Sequence, residues 1–472
     1  MRPRSVHGSG TVRRATALAL AAMLLVPGLA SALPDRPDRW FDDHVYHHYA
    51  DLTTELQDLR ADHPHYISLD SIGTSVMGRS LWTVRITDPS VPAEGKTRIY
   101  VDGEHHGNEQ LGGELCILLI HHLLEDQGDP LVAQLLAGSI VYVTPMLNPD
   151  GNTRDQRSNA NGIDLNRNYP FAFTPSGSHG ESPASEPEVR ANVGFMDGAD
   201  LDLYVSMHTG IIRLIYPWGY TEAPSPDAAM YAQMQELSES HGVPYGQAST
   251  TLYLVDGSSM DYAYGALGIT GLTFEVDGQQ TRQITRSEDI ATRLSDELAL
   301  LMELLALAPA MRADLETADL SFEDVDGGVR ATVGLHNPSM TPANNTTVTV
   351  EAYQDGQVVA SASTTFDVPA GNDTSARLVL DLDEGGYTLR TWVEYHGLVQ
   401  ENSTVERVLL DDRDWTVEPS LLGGSGGWAV GLLVVLLALG IAVVYWAHRR
   451  GAWRPGSVYR RVTSRLGRRS GT

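Results

Sequence analysis

At 472 residues the chain has room for two or three domains, and 60 acidic against 33 basic residues give it a net charge of −27. A chain this negative excludes nucleic acid as a partner, because it would repel the phosphates. One cysteine, Cys116, excludes an intramolecular disulfide, so stability must come from buried apolar surface.

The first 32 residues hold four arginines and no acid. Arg2, Arg4, Arg13 and Arg14 precede an apolar run over 15–30, and Ala30-Ser31-Ala32 is a small-x-small cleavage site. This is the pattern of a secretory signal peptide over 1–32. Residues 35–43 are a polar leader. Over 46–60, Leu52, Leu56 and Leu59 recur at helical spacing, with Pro64 beyond as a stop. Residues 67–72 and 81–86 alternate as strands. The stretch RIYVDGEHHGNE, 98–109, then reads as a strand through Val101, a turn bracketed by Gly103 and Gly107, and the start of a helix running to Glu125. His106 and Glu109 are three residues apart, so they point to one side of that turn. Imidazole and carboxylate together suit Zn2+. The pair alone also fits a solvated loop histidine beside a glutamate that favours the helix dipole. Cys116, inside LCILLI, reads as a small buried hydrophobe.

Residues 131–136 form a short helix. Residues 139–145 are an apolar, β-branched strand of the kind buried on both faces, followed by the turn signal Asn148-Pro149-Asp150-Gly151. Residues 157–168 are loop, rich in Asn and Gly, with Arg157 and Arg167 ten apart. Helices are predicted over 186–196, 227–240, 260–267 and 287–307. A strand over 201–207 stops at His208, and a strand over 271–276 carries Glu275. The carboxyl end of a sheet strand is where open α/β sheets place ligands. A carboxylate in so apolar a strand is costly unless paired or functional. Strands alternating with helices predict an α/β fold, a mixed sheet flanked by helices, with His106, His208 and Glu275 converging on one rim.

Farther on, alternating strands over 329–335, 346–353, 357–365, 376–382 and 387–395, set apart by glycine turns, predict a β-sandwich over 313–411. Sequons at Asn344, Asn345, Asn372 and Asn402 are compatible with surface glycosylation. Residues 412–427 end in Gly-Gly-Ser-Gly-Gly and read as a flexible linker. Residues 428–447 are apolar and uncharged, long enough to span a bilayer, with Trp428, Tyr445 and Trp446 as interfacial aromatics. Eight arginines and no acid follow, which makes 448–472 a basic cytoplasmic tail. The expected location is the cell membrane, in a single pass, with the body outside. Without the two ends, residues 33–427 carry −39 and a single lysine, Lys96. That balance fits solubility at high salt, and a halophilic source is expected.

Seven features now stand in order: His106-x-x-Glu109; Asn148-Pro149-Asp150-Gly151; Arg157; Asp164-Leu165-Asn166-Arg167-Asn168; Ser206-Met207-His208; Leu252-Tyr253 with Gly257 and Asp261; and Thr273-Phe274-Glu275. Through them residues 46–307 resemble the zinc carboxypeptidase family, the group that includes pancreatic carboxypeptidase A. The resemblance implies a catalytic domain over 33–312 with one Zn2+ held by His106, Glu109 and His208. His105 is a rival ligand, and the three-residue spacing to Glu109 selects His106. The resemblance further implies Glu275 as general base and Arg157 facing the developing oxyanion. Asn166 and Arg167 would hold the substrate's terminal carboxylate, and Tyr253 would close over the substrate. Met260, seven beyond that tyrosine, would lie at the base of the side-chain pocket and favour apolar C-terminal residues over Lys or Arg. The partner implied is a peptide or protein with a free C-terminus. Few residues separate the leader from the domain, so no inhibitory pro-domain is expected.

The β-region resembles Ig-like modules of cell-surface proteins and is expected to act as a spacer. Two other readings fit the same residues. One is a zinc amidohydrolase of the same fold, cleaving a γ-glutamyl or N-acyl amino acid bond. The other is a non-catalytic surface adhesin, against which the complete metal set and Glu275 argue.

Overall fold

The structure, a computed structural model, describes residues 4–6, 46–278 and 287–418. Eight strands form one mixed sheet: β1 Ile67–Thr74, β2 Ser80–Ile86, β3 Thr97–Gly103, β4 Ser139–Thr144, β5 Leu203–His208, β6 Ile211–Tyr216, β7 Tyr245–Gln247 and β8 Thr270–Asp277. Their order is β1-β2-β4-β3-β5-β8-β6-β7. The inner strands β4, β3, β5 and β8 run parallel; β1 pairs antiparallel with β2, β2 with β4 and β6 with β8, and β7 lies parallel to β6 at the edge.

The period of two along the inner strands builds a core on each face. Ile99 and Val101 of β3, with Leu203, Val205 and Met207 of β5, join one apolar cluster. Tyr100 and Tyr204, between them in sequence, join another on the opposite face. The helices α1 Tyr49–Asp62, α2 Gln110–Glu125, α3 Pro149–Arg154, α4 Pro187–Ala199, α5 Ser259–Leu267 and α6 Ser295–Leu307 are the ones used below. α2 and α6 supply leucines to the first cluster, and α4 supplies Val189 and Met196 to the second, so the sheet is covered on both faces.

Seven further strands follow: β9 Glu316–Val325, β10 Gly328–His336, β11 Ala343–Gln354, β12 Gln357–Val368, β13 Asp373–Asp381, β14 Gly385–His396 and β15 Val405–Val417. They form one sheet of order β9-β10-β13 and another of order β15-β14-β11-β12. Val329, Val333, Leu378, Val350, Leu389 and Val393 from both sheets share one core, so this region is β-rich throughout. Within the expected leader only Arg4–Val6 is described, a strand pairing parallel with β15.

Several expectations need correction. The signal Asn148-Pro149-Asp150-Gly151 is not a turn but the start of α3. The Asn148 side chain accepts from the Gly151 N–H, and Pro149 holds the first helical position, where its missing N–H costs nothing. The helix expected over 227–240 is two, Ala228–Ala232 and Gln235–Ser240, and the closing helix over 287–307 is broken between Ser287–Arg293 and α6. Residues 412–417, expected as the start of a linker, are strand instead, because β15 continues to Val417, and the rest of that linker, from residue 419, lies outside the described residues. Strands β6, β7, β9 and β15 were not foreseen. Among the described residues no helix is long and apolar enough to cross a membrane. The expected spanning segment over 428–447, the tail and most of the leader lie outside the described residues.

Candidate active site

Parallel strands β3, β5 and β8 end side by side, with Gly103 opposite Met207 and His208 opposite Glu275. The turn after β3 closes tightly. A Cβ on Gly107 would lie 2.1 Å from the backbone of Gly151 and Asn152 in α3, so only glycine lets the loop approach. That loop presents His106, and Glu109 stands at the N-cap of α2.

Three side chains converge there. Nδ1 of His106 and Nδ1 of His208 each lie 2.9 Å from Oε2 of Glu109, and the two nitrogens are 3.2 Å apart. One donor atom from each residue falls within 4.8 Å of the others, the only such grouping among the described residues. Two imidazoles and one carboxylate, all buried, are the donor set of a catalytic zinc that keeps an open position. The outward nitrogens are held as well. His106 Nε2 lies 3.0 Å from Asp164 Oδ1. His208 Nε2 lies 3.2 Å from Ser206 Oγ and 3.3 Å from Asn166 Nδ2. Such partners fix ring orientation and ligand basicity. His105, the rival ligand, points elsewhere: its Nε2 is 2.7 Å from the Tyr169 hydroxyl and its Nδ1 3.2 Å from Ser206 Oγ.

Arg157 braces the group. It donates from Nη1 to Glu109 Oε1 at 2.9 Å and from Nε to Asp164 Oδ2 at 3.0 Å. Burial opposes charge on Glu109, yet His106 and His208 hold its carboxyl well below the usual range. Burial likewise opposes protonation of His106, but Glu109 and Asp164 outweigh it and raise the ring to about 9. A cation taking that nitrogen therefore displaces a proton. Burial, helped by the charge of Glu109, pushes the Glu275 carboxyl up to about 8, against the pull of His106, Arg157 and Arg167.

His106, Glu109, His208, Glu275, Arg157, Asn166, Arg167, Tyr253 and Met260 all line one pocket of about 200 Å3. Its far wall is apolar, built from Ile215, Ala248, Leu252, Val255 and Met260, of which the first three and Met260 pack together. Tyr253 is 59% exposed at the mouth. Arg167 donates from Nη1 to the Asn166 carbonyl at 2.9 Å, and among the described residues no carboxylate pairs with it. Asn166 is already engaged, its Oδ1 accepting from the Ser259 N–H at 2.9 Å. The linking roles of Asp164 and Ser206 escaped the sequence reading. Both residues stood inside quoted motifs, but nothing in their spacing tells which nitrogen they face.

The sequence profile of the zinc carboxypeptidase family matches residues 52–298. Human carboxypeptidase A6 is 30% identical over 257 residues, which cover 48% of this chain and 58% of that one. Mouse carboxypeptidase D is 31% identical over 209 residues, 41% of this chain and 15% of that one. The zinc carboxypeptidase of Saccharothrix mutabilis subsp. capreolus is 27% identical over 49% of this chain and 62% of its own. The matches thus span less than two thirds of these relatives. Among solved structures, thrombin activatable fibrinolysis inhibitor superposes with a TM-score of 0.51 at 21% identity, over 63% of this chain and 80% of that one. Carboxypeptidase A from Helicoverpa armigera gives 0.50 at 22% identity, over the same shares. At those identities the likeness is one of fold.

Proposed function

The chain belongs to the zinc carboxypeptidase family, and from that premise we propose that it is a membrane-anchored, extracellular zinc carboxypeptidase removing apolar C-terminal residues from peptides or proteins. The observation that carries this reading is one pocket lined by a His2Glu donor set, a half-buried Glu275 and two arginines, with an apolar far wall. His106, Glu109 and His208 would hold the zinc, which would supply the Lewis acidity that lowers the pKa of a water toward neutral. Glu275 is placed to take a proton from the attacking water and pass it to the leaving amine. Arg157 faces the carbonyl oxygen as charge develops on it. Arg167, with no carboxylate partner among the described residues, grips the terminal carboxylate of the substrate by its fork, and Asn166 assists. Tyr253, exposed at the mouth, closes over the bound chain. Met260 and the wall around it receive the last side chain, and among the lining residues there no acid faces a Lys or Arg.

The location rests on the sequence ends: an arginine-flanked leader over 1–32 and an apolar segment over 428–447 followed by arginines. The acidic body supports a halophilic source. Seven strands in two sheets over one core support an Ig-like reading of the β-rich region.

A panel of peptides, each as free acid and as C-terminal amide, tests the proposal. Free acids ending in Leu or Phe should lose single residues, a chelator should stop this, and zinc should restore it. Amides lack the carboxylate that Arg167 grips, and should react more slowly by the worth of a charge-assisted pair, about 1.5–3 kcal/mol. Equal cleavage of amide and acid would sink the carboxypeptidase reading and favour the amidohydrolase.

A further inference from the structure

We infer that the β-rich domain is a working part of the pocket rather than a spacer: its β14–β15 loop caps the helix α5 and so positions Met260 and Gly219. A helix leaves its last carbonyls without partners inside the helix. Here they are met from outside. The Gly265 carbonyl accepts from Gln400 Nε2 at 3.0 Å and from Asn402 Nδ2 at 2.7 Å. The Gly268 carbonyl accepts from Arg312 Nη1 at 2.8 Å, at the junction between the domains. Gly268 itself ends the helix with φ +64, and a Cβ there would lie 2.4 Å from the Cα of Ser403. Helix end and loop backbone are in direct contact.

The other end of α5 is the pocket. Met260 lines it. The Ser259 N–H donates to Asn166, and both oxygens of Asp261 accept from the Gly219 N–H at 3.0 Å, with the Tyr220 N–H beside it. One nine-residue helix therefore joins the β14–β15 loop to the pocket wall.

A second link runs through Asp227. Its buried carboxylate accepts from the N–H of Val399 at 2.8 Å, the N–H of Gln400 at 3.1 Å and the Tyr264 hydroxyl at 2.6 Å. The Tyr264 ring packs 4.9 Å from Trp218, the residue before Gly219. Leu398, at the tip of the loop, is 1% exposed and belongs to the core of the α/β domain. Without the loop, the Asp227 carboxylate would lose two of these three donors.

The metal ligands stand on the loop after β3, at the N-cap of α2 and at the end of β5, and α5 reaches them only through Asn166, which lies between the Ser259 N–H and His208 Nε2. Loosening the loop should thus move substrate binding and leave the metal in place. The full-length double variant Gln400→Ala, Asn402→Ala is expected to keep its zinc and a kcat within about twofold. Its KM for a free-acid peptide ending in Phe should rise roughly five- to tenfold, the scale of one or two lost hydrogen bonds. Amide hydrogen exchange at Gly219 and Tyr220 should quicken. Should the double variant not fold, Asn402→Asp sets an acceptor against the Gly265 carbonyl and is read in the same two ways. The kinetic arm rests on the carboxypeptidase reading; the exchange arm does not, so it decides even if no peptide is cleaved. Unchanged exchange at Gly219 and Tyr220 would overturn the inference, whatever the kinetics.

Discussion

Glu275 stands on β8 between Phe274 and Val276, both fully buried, while its own side chain turns into the pocket. A base held up near neutral pH by burial is matched to moving a proton there. Glu275→Gln keeps the shape and loses the proton acceptor. It should retain zinc and bind substrate, and its kcat should fall by roughly 10²–10⁴, with metal content measured on the same sample. Loss of zinc would make Glu275 a ligand instead. Asp164 acts at one remove, between His106 and Arg157. Asp164→Asn should weaken zinc affinity by about 10–100-fold, read by competition with a chelator. Unaltered affinity would reduce Asp164 to a tether for Arg157. Residue types at the pocket were legible because histidine, glutamate and arginine carry their chemistry wherever they fold. The partner of the far nitrogen was not. Asp164 lies 58 positions from His106, and a loop decides which way its carboxylate points. His105 makes the same point: two adjacent histidines look alike in sequence, and the turn sends one to the pocket and the other to Tyr169.

At the scale of elements, α1 is held by a row of alternating charges. His47 lies between Glu114 of α2 at 2.9 Å and Glu55 at 3.3 Å, and Glu55 also meets His121 at 2.6 Å, which in turn meets Glu125 at 3.0 Å. Burial opposes charge on His47, but Glu114 and Glu55 outweigh it and raise the ring from 6.5 to about 10. Burial opposes charge on Glu55 too, and the two histidines lower it from 4.5 to about 2. A raised histidine stabilises fully below 6.5 and loses that contribution as pH climbs toward 10. A depressed glutamate stabilises above 4.5 and loses its contribution as pH falls toward 2. The row therefore holds α1 best between 4.5 and 6.5. The excess melting temperature of the native protein over His47→Gln should be level between pH 4.5 and 6.5, fall as pH drops toward 2 and vanish by about pH 10. A difference that stays flat through that range would contradict the assignment. Strands β3, β5 and β8 were legible from their alternation. β6 was not, because it follows β5 after a Gly210 turn and yet pairs with β8. The break between Ala228–Ala232 and Gln235–Ser240 was also invisible. Gln233 and Met234 keep near-helical angles there, so the apolar spacing carries on while the ladder is interrupted.

At the scale of the molecule, composition reported the charge but not how the domains meet. Asp227 and Gln400 are 173 positions apart, and a buried aspartate does not announce that its donors belong to another domain. Residues 33–427 carry −39, and at 0.1 M salt charges interact over about 10 Å, against about 3 Å at 1 M. Salt also weakens the exposed pairs Arg330–Glu323, Arg390–Asp412 and Arg407–Glu394. Each of those is worth only about 0–1 kcal/mol, while the unbalanced acids repel across the whole surface, so relief of repulsion should win. The melting temperature should rise from 0.1 to 2 M KCl, with most of the gain below about 1 M, where screening is largely complete. Sucrose at matched osmolality stabilises by exclusion from the surface and leaves the charges unscreened. It should give a smaller rise. An equal rise in sucrose and KCl would assign the effect to exclusion, and a fall in KCl would mean that the lost ion pairs outweigh the repulsion.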